Sequence, residues 1–92
     1  MVDARPVVIG TMAFDFHSVL SLAKATWRLS PRQIDVLALI ARGLPNKLIA
    51  DELKRSIGTV EYHVTDLFKK AGVGNRCELV VALWRLTTQL PL

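Results

Sequence analysis

Residues 45–76 read PNKLIADELKRSIGTVEYHVTDLFKKAGVGNR, and the punctuation inside this stretch decides the fold. Pro45-Asn46 restarts the chain after a break. Asn46 has the side chain of an N-cap for a short helix from Lys47 to Leu53, which buries Ile49, Ala50 and Leu53. Lys54 and Arg55 make a turn, Ser56 supplies a second cap, and Val60, Val64, Leu67, Phe68 and Ala71 then recur at helical spacing until Gly72. Two helices joined by a tight turn, the first barely two turns long and the second amphipathic, form the helix-turn-helix pattern. Its internal spacing agrees. Ala50 is small where the two helices must approach, Lys54 follows four residues later at the turn, and Val60 falls ten after Ala50, where an apolar plug locks the second helix onto the first. Lys54 is the awkward member, because that turn favours a left-handed backbone that costs a non-glycine residue about 1 kcal/mol.

Upstream, Ser30-Pro31-Arg32-Gln33 is a helix start: a hydroxyl cap, proline at the first helical position and Gln three residues after the cap. The helix it opens carries Val36, Leu37, Ile40, Ala41 and Leu44 as an apolar stripe and stops at Gly43. Downstream, Asn75-Arg76-Cys77-Glu78 has the form of a capping box for a last helix from Arg76 to about Thr88, which contains the apolar run Leu79 to Trp84. Before Leu29, Val7, Val8 and Ile9 preceding Gly10 form a short strand or an extended arm, with the arm preferred. Phe16, Val19, Leu20, Ala23 and Trp27 then fall on one side of an amphipathic helix. The expected fold is all-α: a four-helix, tetrahelical helix-turn-helix domain over residues 29–89, behind an N-terminal extension, residues 1–28, made of an arm and an extra amphipathic helix.

Composition narrows the function. A chain of 92 residues holds one thin core, and Lys plus Arg exceed Asp plus Glu by 12 to 8, a net charge of +4 that tilts mildly toward polyanions. Cys77 has no second cysteine, and with only His17 and His63 beside it there is no set of zinc ligands. Neither a metal nor another cofactor is expected. The longest uncharged run, Pro6 to Phe14, has nine residues, half of the roughly 18 that a membrane span needs. Asp3 stands where a secretory signal would be basic, so a cytoplasmic location follows as the expectation. There is no nucleophile paired with a base and no glycine-rich phosphate loop, which argues against an enzyme.

The wording of residues 29–86 resembles the DNA-binding domain of the LuxR and FixJ/NarL family of bacterial transcription regulators. Leu29, Arg32, Val36, Leu37, Gly43, Asn46, Lys47, Ile49, Ala50, Leu53, Ser56, Thr59, Val60, His63, Lys70, Val73 and Arg76 all stand where the family pattern has them. The resemblance implies a domain that binds double-stranded DNA, commonly as a two-fold homodimer through its last helix, with the helix of residues 57–71 in the major groove. Once the core stripe of that helix is set aside, Gly58, Glu61, Tyr62, Thr65 and Lys69 face outward. Glu61, Tyr62 and Thr65 match the family's base-reading positions. A carboxylate accepts from cytosine N4, and Thr65 can bond a base edge or set its methyl against that of thymine. Ser56 and Thr59 in the first turn, with Lys47, Arg55, Lys69, Lys70 and Arg76, are the expected phosphate contacts.

Departures from the family pattern qualify this expectation. Where many relatives carry Lys or Arg on the reading face, this chain presents Glu61 and Asp66, which balance Lys69 and Lys70 and make the helix neutral, so weak non-specific binding and a shallow salt dependence are expected. Gln33 stands where Glu is usual, which removes one charge from an ion pair of the family. Leu48 replaces a frequent Glu, and Ile57 exposes an apolar group where a polar one is usual. These features leave a second reading open: a helix-turn-helix turned to protein contacts, with RNA polymerase or another regulator as partner. His63 matches a structural histidine of the family, and Cys77 reads as inert packing. The last helix is apolar all round, so its second face needs a cover. Either a second copy packs there through Val80, Val81 and Trp84, or the N-terminal helix folds back over it.

Overall fold

The structure is a computed structural model and describes residues 7–9, 12–14 and 16–89 of the 92. In chain order these form strands β1 (Val7–Ile9) and β2 (Met12–Phe14), then helices α1 (Phe16–Trp27), α2 (Pro31–Ala41), α3 (Asn46–Leu53), α4 (Ile57–Ala71) and α5 (Arg76–Leu86), followed by a single 3-10 turn, Thr87–Gln89. The all-α, tetrahelical arrangement with an additional N-terminal helix is the expected one. The segment expected as an arm differs, because its two apolar triplets pair as an antiparallel hairpin, with Val7 opposite Phe14, Val8 opposite Ala13 and Ile9 opposite Met12. Residues 1–6, 10, 11 and 15 of that segment lie outside the described residues.

Local chemistry explains most helix starts. Ser30 Oγ accepts from the Gln33 N–H at 3.2 Å and Gln33 Oε1 accepts from the Ser30 N–H at 3.0 Å, a complete capping box with Pro31 at the first position. Ser56 Oγ accepts from the Thr59 N–H at 3.1 Å and opens α4. Two starts depart from expectation. Helix α3 begins at Asn46 itself, with Pro45 in the cap position and no side-chain cap, because the Asn46 side-chain oxygen accepts from the Arg76 guanidinium instead. At α5, Asn75 Oδ1 caps the Glu78 N–H at 2.9 Å, but the Glu78 carboxylate returns to the Gly74 N–H at 2.8 Å, one residue before the position that would complete a capping box.

Helix ends share one device. Arg28, Gly43, Lys54 and Gly72 take left-handed backbone, and the N–H of the residue after each reaches back to the carbonyl five positions earlier at 3.0–3.1 Å. Glycine does this freely, whereas Arg28 (φ 56°) and Lys54 (φ 55°) carry the steric cost of a Cβ. Lys54→Gly is therefore expected to raise stability by about 0.5–1 kcal/mol, the left-handed penalty of about 1–2 kcal/mol less the extra chain entropy of glycine. Urea unfolding checks this, and an unchanged midpoint would mean that the turn is not strained.

Helix α4 packs against both α2 and α3, and α1 lies across α2 and α5. The most enclosed side chains are Leu37 from α2, Ile49 from α3, Leu67 from α4 and Leu79 from α5, with Val19 of α1 joining them from outside the tetrahelical set. Val60, expected as the plug, is 1% exposed, and Ala50 beside it is buried. Helix α1 is thus part of the core and not an appendage. Val19 and Ala23 are enclosed on its inner side, while Phe16, Leu20 and Trp27 are half-buried.

Candidate nucleic-acid interface

The α3–turn–α4 unit holds one surface clear of the core. Val60, Val64 and Leu67 point inward, and Gly58, Glu61, Tyr62, Thr65 and Lys69 are exposed on the other side of α4, with Tyr62 at 68%. Among the described residues, none of the carboxylate, hydroxyl and ammonium groups of Glu61, Thr65 and Lys69 is spent on a neighbour. Tyr62 meets His63 edge to face, ring centroids 5.7 Å apart, and His63 is half-buried with Nδ1 enclosed and without a hydrogen-bond partner.

The first turn of α4 is open. Ser56 Oγ lies 2.9 Å from Thr59 Oγ1, so the two hydroxyls share a proton donor there, and a methyl group placed on Gly58 would meet nothing nearer than Ser56 Oγ at 4.0 Å. The N–H groups of Ile57 and Gly58 precede the first intrahelical partner and point outward, the arrangement that suits an anion. Lys47 on α3 and Arg55 in the turn are exposed nearby in sequence, as are Leu48 and Ile57 at 49% each.

Two expected phosphate contacts have other employment. Lys70 Nζ donates to Gln33 Oε1 at 2.9 Å and to the Arg28 carbonyl at 3.3 Å, and lies 3.5 Å from Asp66 Oδ2. The guanidinium of Arg76 donates to the Leu44 carbonyl at 3.1 Å and to the side chain of Asn46. Both cations tie helices together, Lys70 at the start of α2 and Arg76 at the start of α3. Asp66 is likewise turned toward α2, where it accepts from Gln33 Nε2, so it does not stand on the outer face beside Glu61 as the sequence suggested. That face carries Glu61 and Lys69, still neutral in sum. Beside Gln33 the carboxylate that faces Lys70 is that of Asp66 on α4, at 3.5 Å.

The cover of α5 is also divided. Helix α1 packs along one flank, leaving a shallow apolar groove of about 210 Å³ between Phe16, Val19, Ala41, Val80, Leu83, Trp84 and Thr87. Val80 (44%), Val81 (49%) and Trp84 (52%) remain largely exposed along the rest of the helix, together with Cys77. Among the described residues no three His, Cys, Asp or Glu side chains converge on a metal position, and no helix is long and apolar enough to cross a membrane.

The family model for bacterial regulatory proteins of the luxR family matches residues 28–83, from the end of α1 into α5. The chain belongs to the luxR family. Its relatives are regulators rather than enzymes. The nitrate/nitrite response regulator protein NarL of Escherichia coli is 46% identical over 54 residues, which make up 59% of this chain and 25% of that protein. The response regulator Rre1 of Synechocystis is 49% identical over 51 residues, 55% of this chain and 22% of its own length. The oxygen regulatory protein NreC of Staphylococcus aureus is 46% identical over 52 residues, 56% of this chain and 24% of its own. The luxR-family chain thus spans about a quarter of the length of these relatives. It is a DNA-binding regulator domain of the LuxR/NarL type, with α3 and α4 as its helix-turn-helix.

Proposed function

We propose that the domain binds double-stranded DNA sequence-specifically, with α4 in the major groove, as the DNA-binding part of a bacterial transcription regulator in the cytoplasm. The observation that carries this reading is the outer face of α4. Glu61, Tyr62 and Thr65 project from a helix fixed on its other side by enclosed apolar residues, and their functional groups remain available to base edges. Phosphate contacts fall to Ser56, Thr59 and the α4 N-terminus, with Lys47, Arg55 and Lys69 as cations. Lys70 and Arg76 enter the proposal as braces. Residues 29–89 are taken as the DNA-binding unit and residues 1–28 as an extension packed on it through α1.

A homodimer formed through Val80, Val81 and Trp84 completes the reading. These side chains are largely exposed along α5, with Val80 and Trp84 bordering the groove against α1. Two copies about a two-fold axis place their reading helices on half-sites roughly 34–36 Å apart.

Fluorescence anisotropy against a labelled mixed-sequence duplex tests the proposal. Binding at about 50 mM salt is expected to weaken roughly 40-fold at 200 mM for one protomer that neutralises three phosphates through Lys47, Arg55 and Lys69, and about a thousandfold for a dimer that neutralises six. Lys47→Ala is expected to weaken all duplexes alike. Thr65→Ala is expected to relax the preference at one base position of a site selected from a random library, by about 1 kcal/mol or more. No retention of any duplex at the lower salt would overturn the proposal and leave protein contacts as the use of this face.

A further inference from the structure

We infer that Asp66 is a positioning residue for the reading helix, acting through a polar ring with Gln33 and Lys70, and that the preference of this domain for its site depends on it. The inference rests on the DNA-binding reading above. Gln33 is 3% exposed at the first turn of α2, and each end of its amide is used. Its Oε1 accepts from the Ser30 N–H and from Lys70 Nζ, while its Nε2 donates to Asp66 Oδ2. Lys70 closes the ring with Asp66 at 3.5 Å and adds the Arg28 carbonyl at 3.3 Å.

The chemistry of the ring depends on where the carboxylate sits. An amide at position 33 cannot neutralise Lys70, and its N–H group, enclosed at this depth, needs an acceptor of its own. Asp66 meets both needs with one oxygen. The ring therefore joins the end of α1, the start of α2 and the second half of α4, on the flank of α4 beside the apolar seam of Val64 and Leu67. Val60, Val64 and Leu67 hold the inner seam of α4, and Asp66 and Lys70 add a polar restraint to one flank of the part that carries Thr65 and Lys69. A small rotation about that seam would keep the charges near DNA but lose the registry that base contacts demand.

The test uses Asp66→Asn, Gln33→Glu and the double substitution, which returns one carboxylate and one amide to the ring in exchanged places and leaves net charge unchanged. For each protein two quantities are read: the urea midpoint, and the ratio of affinity for the selected site to that for a mixed-sequence duplex. Asp66→Asn is expected to lower the ratio roughly three- to tenfold, the worth of about one hydrogen bond, with non-specific affinity no weaker because an acid has been removed. Gln33→Glu crowds two carboxylates around one ammonium and is expected to lower the midpoint. The double variant is expected to recover both midpoint and ratio to within about twofold of the original protein, the non-additivity that marks a direct partnership.

An Asp66→Asn protein that loses stability but keeps its ratio would reduce Asp66 to a structural brace and overturn the inference, as would a double variant no better than the single one. If the unaltered protein holds no duplex, the DNA reading and this role fall together. Recovery of the midpoint in the double variant would then show that the ring is real and that the failure lies with the DNA.

Discussion

A chain beginning at Leu29, without α1, is expected to melt at least 15 °C below the full domain or to self-associate. Val19 and Ala23 are enclosed between α1 and its neighbours, and Leu20, Leu22 and Trp27 add partly buried surface to the same core. Each fully buried aliphatic side chain is worth roughly 1.5–3 kcal/mol, so removing the helix forfeits about 4–6 kcal/mol once the half-buried groups are counted at a fraction. A domain of this size has only about 5–14 kcal/mol in total, and each kcal/mol moves the midpoint by about 4–8 °C. The loss also uncovers the α1 side of α5, extending the exposed strip of Val80, Val81 and Trp84 across Leu83. Thermal melts of the two chains, with sedimentation to detect self-association, decide the matter. A monomer melting within a few degrees of the full domain would show that α1 is a passive cover. The match to the family begins at Arg28, so the family pattern alone gives no warning of this dependence.

The parts of the fold that were legible in the sequence are those whose causes lie within a few residues of one another. Ser30 with Gln33, Ser56 with Thr59, and Gly43 and Gly72 at the ends act over a single turn, and the helices start and stop where those residues stand. Asp66 was misplaced for the opposite reason. On a helical wheel it lies about as far from the stripe of Val60, Val64 and Leu67 as Thr65 does, and only the approach of α2 on that flank draws it inward. The same holds for Arg76 and Asn46, thirty residues apart, whose pairing removes Asn46 from the cap that its position suggested. A local clue existed for Asp66, since Lys70 follows it by four residues, a spacing that favours an ion pair. The paired strands also left a trace, because two apolar triplets, Val7–Ile9 and Met12–Phe14, stand close together in the sequence. Periodicity identified the surplus apolar surface of α5, but the choice between α1 and a second copy as its cover is a matter of tertiary geometry. Here α1 takes one flank and leaves the other.

Two substitutions on opposite sides of α4 are expected to separate what holds the helix from what the helix presents. Leu67 is 0% exposed and its side chain closes the inner seam of α4, so Leu67→Ala removes three carbons from a site that cannot collapse without moving a helix. The expected cost is about 3–5 kcal/mol, transfer and cavity together, a large share of the roughly 5–14 kcal/mol that the domain has in total. Tyr62 is exposed, and its truncation to Ala is expected to change stability by less than about 0.5 kcal/mol, since it vacates no enclosed space. Affinity for the selected duplex should respond in the reverse order when measured at low temperature, where the Leu67→Ala protein remains folded. That variant keeps Glu61, Tyr62 and Thr65 on an intact outer face, whereas Tyr62→Ala loses a ring from among the three residues proposed to read bases. Urea unfolding and anisotropy on the same preparations provide the comparison. If Tyr62→Ala left affinity untouched, the reading surface would have to be centred elsewhere on α4. If Leu67→Ala weakened DNA and stability together at 10 °C, the outer face would not be held rigidly by the core, and the packing of α4 would itself set the affinity.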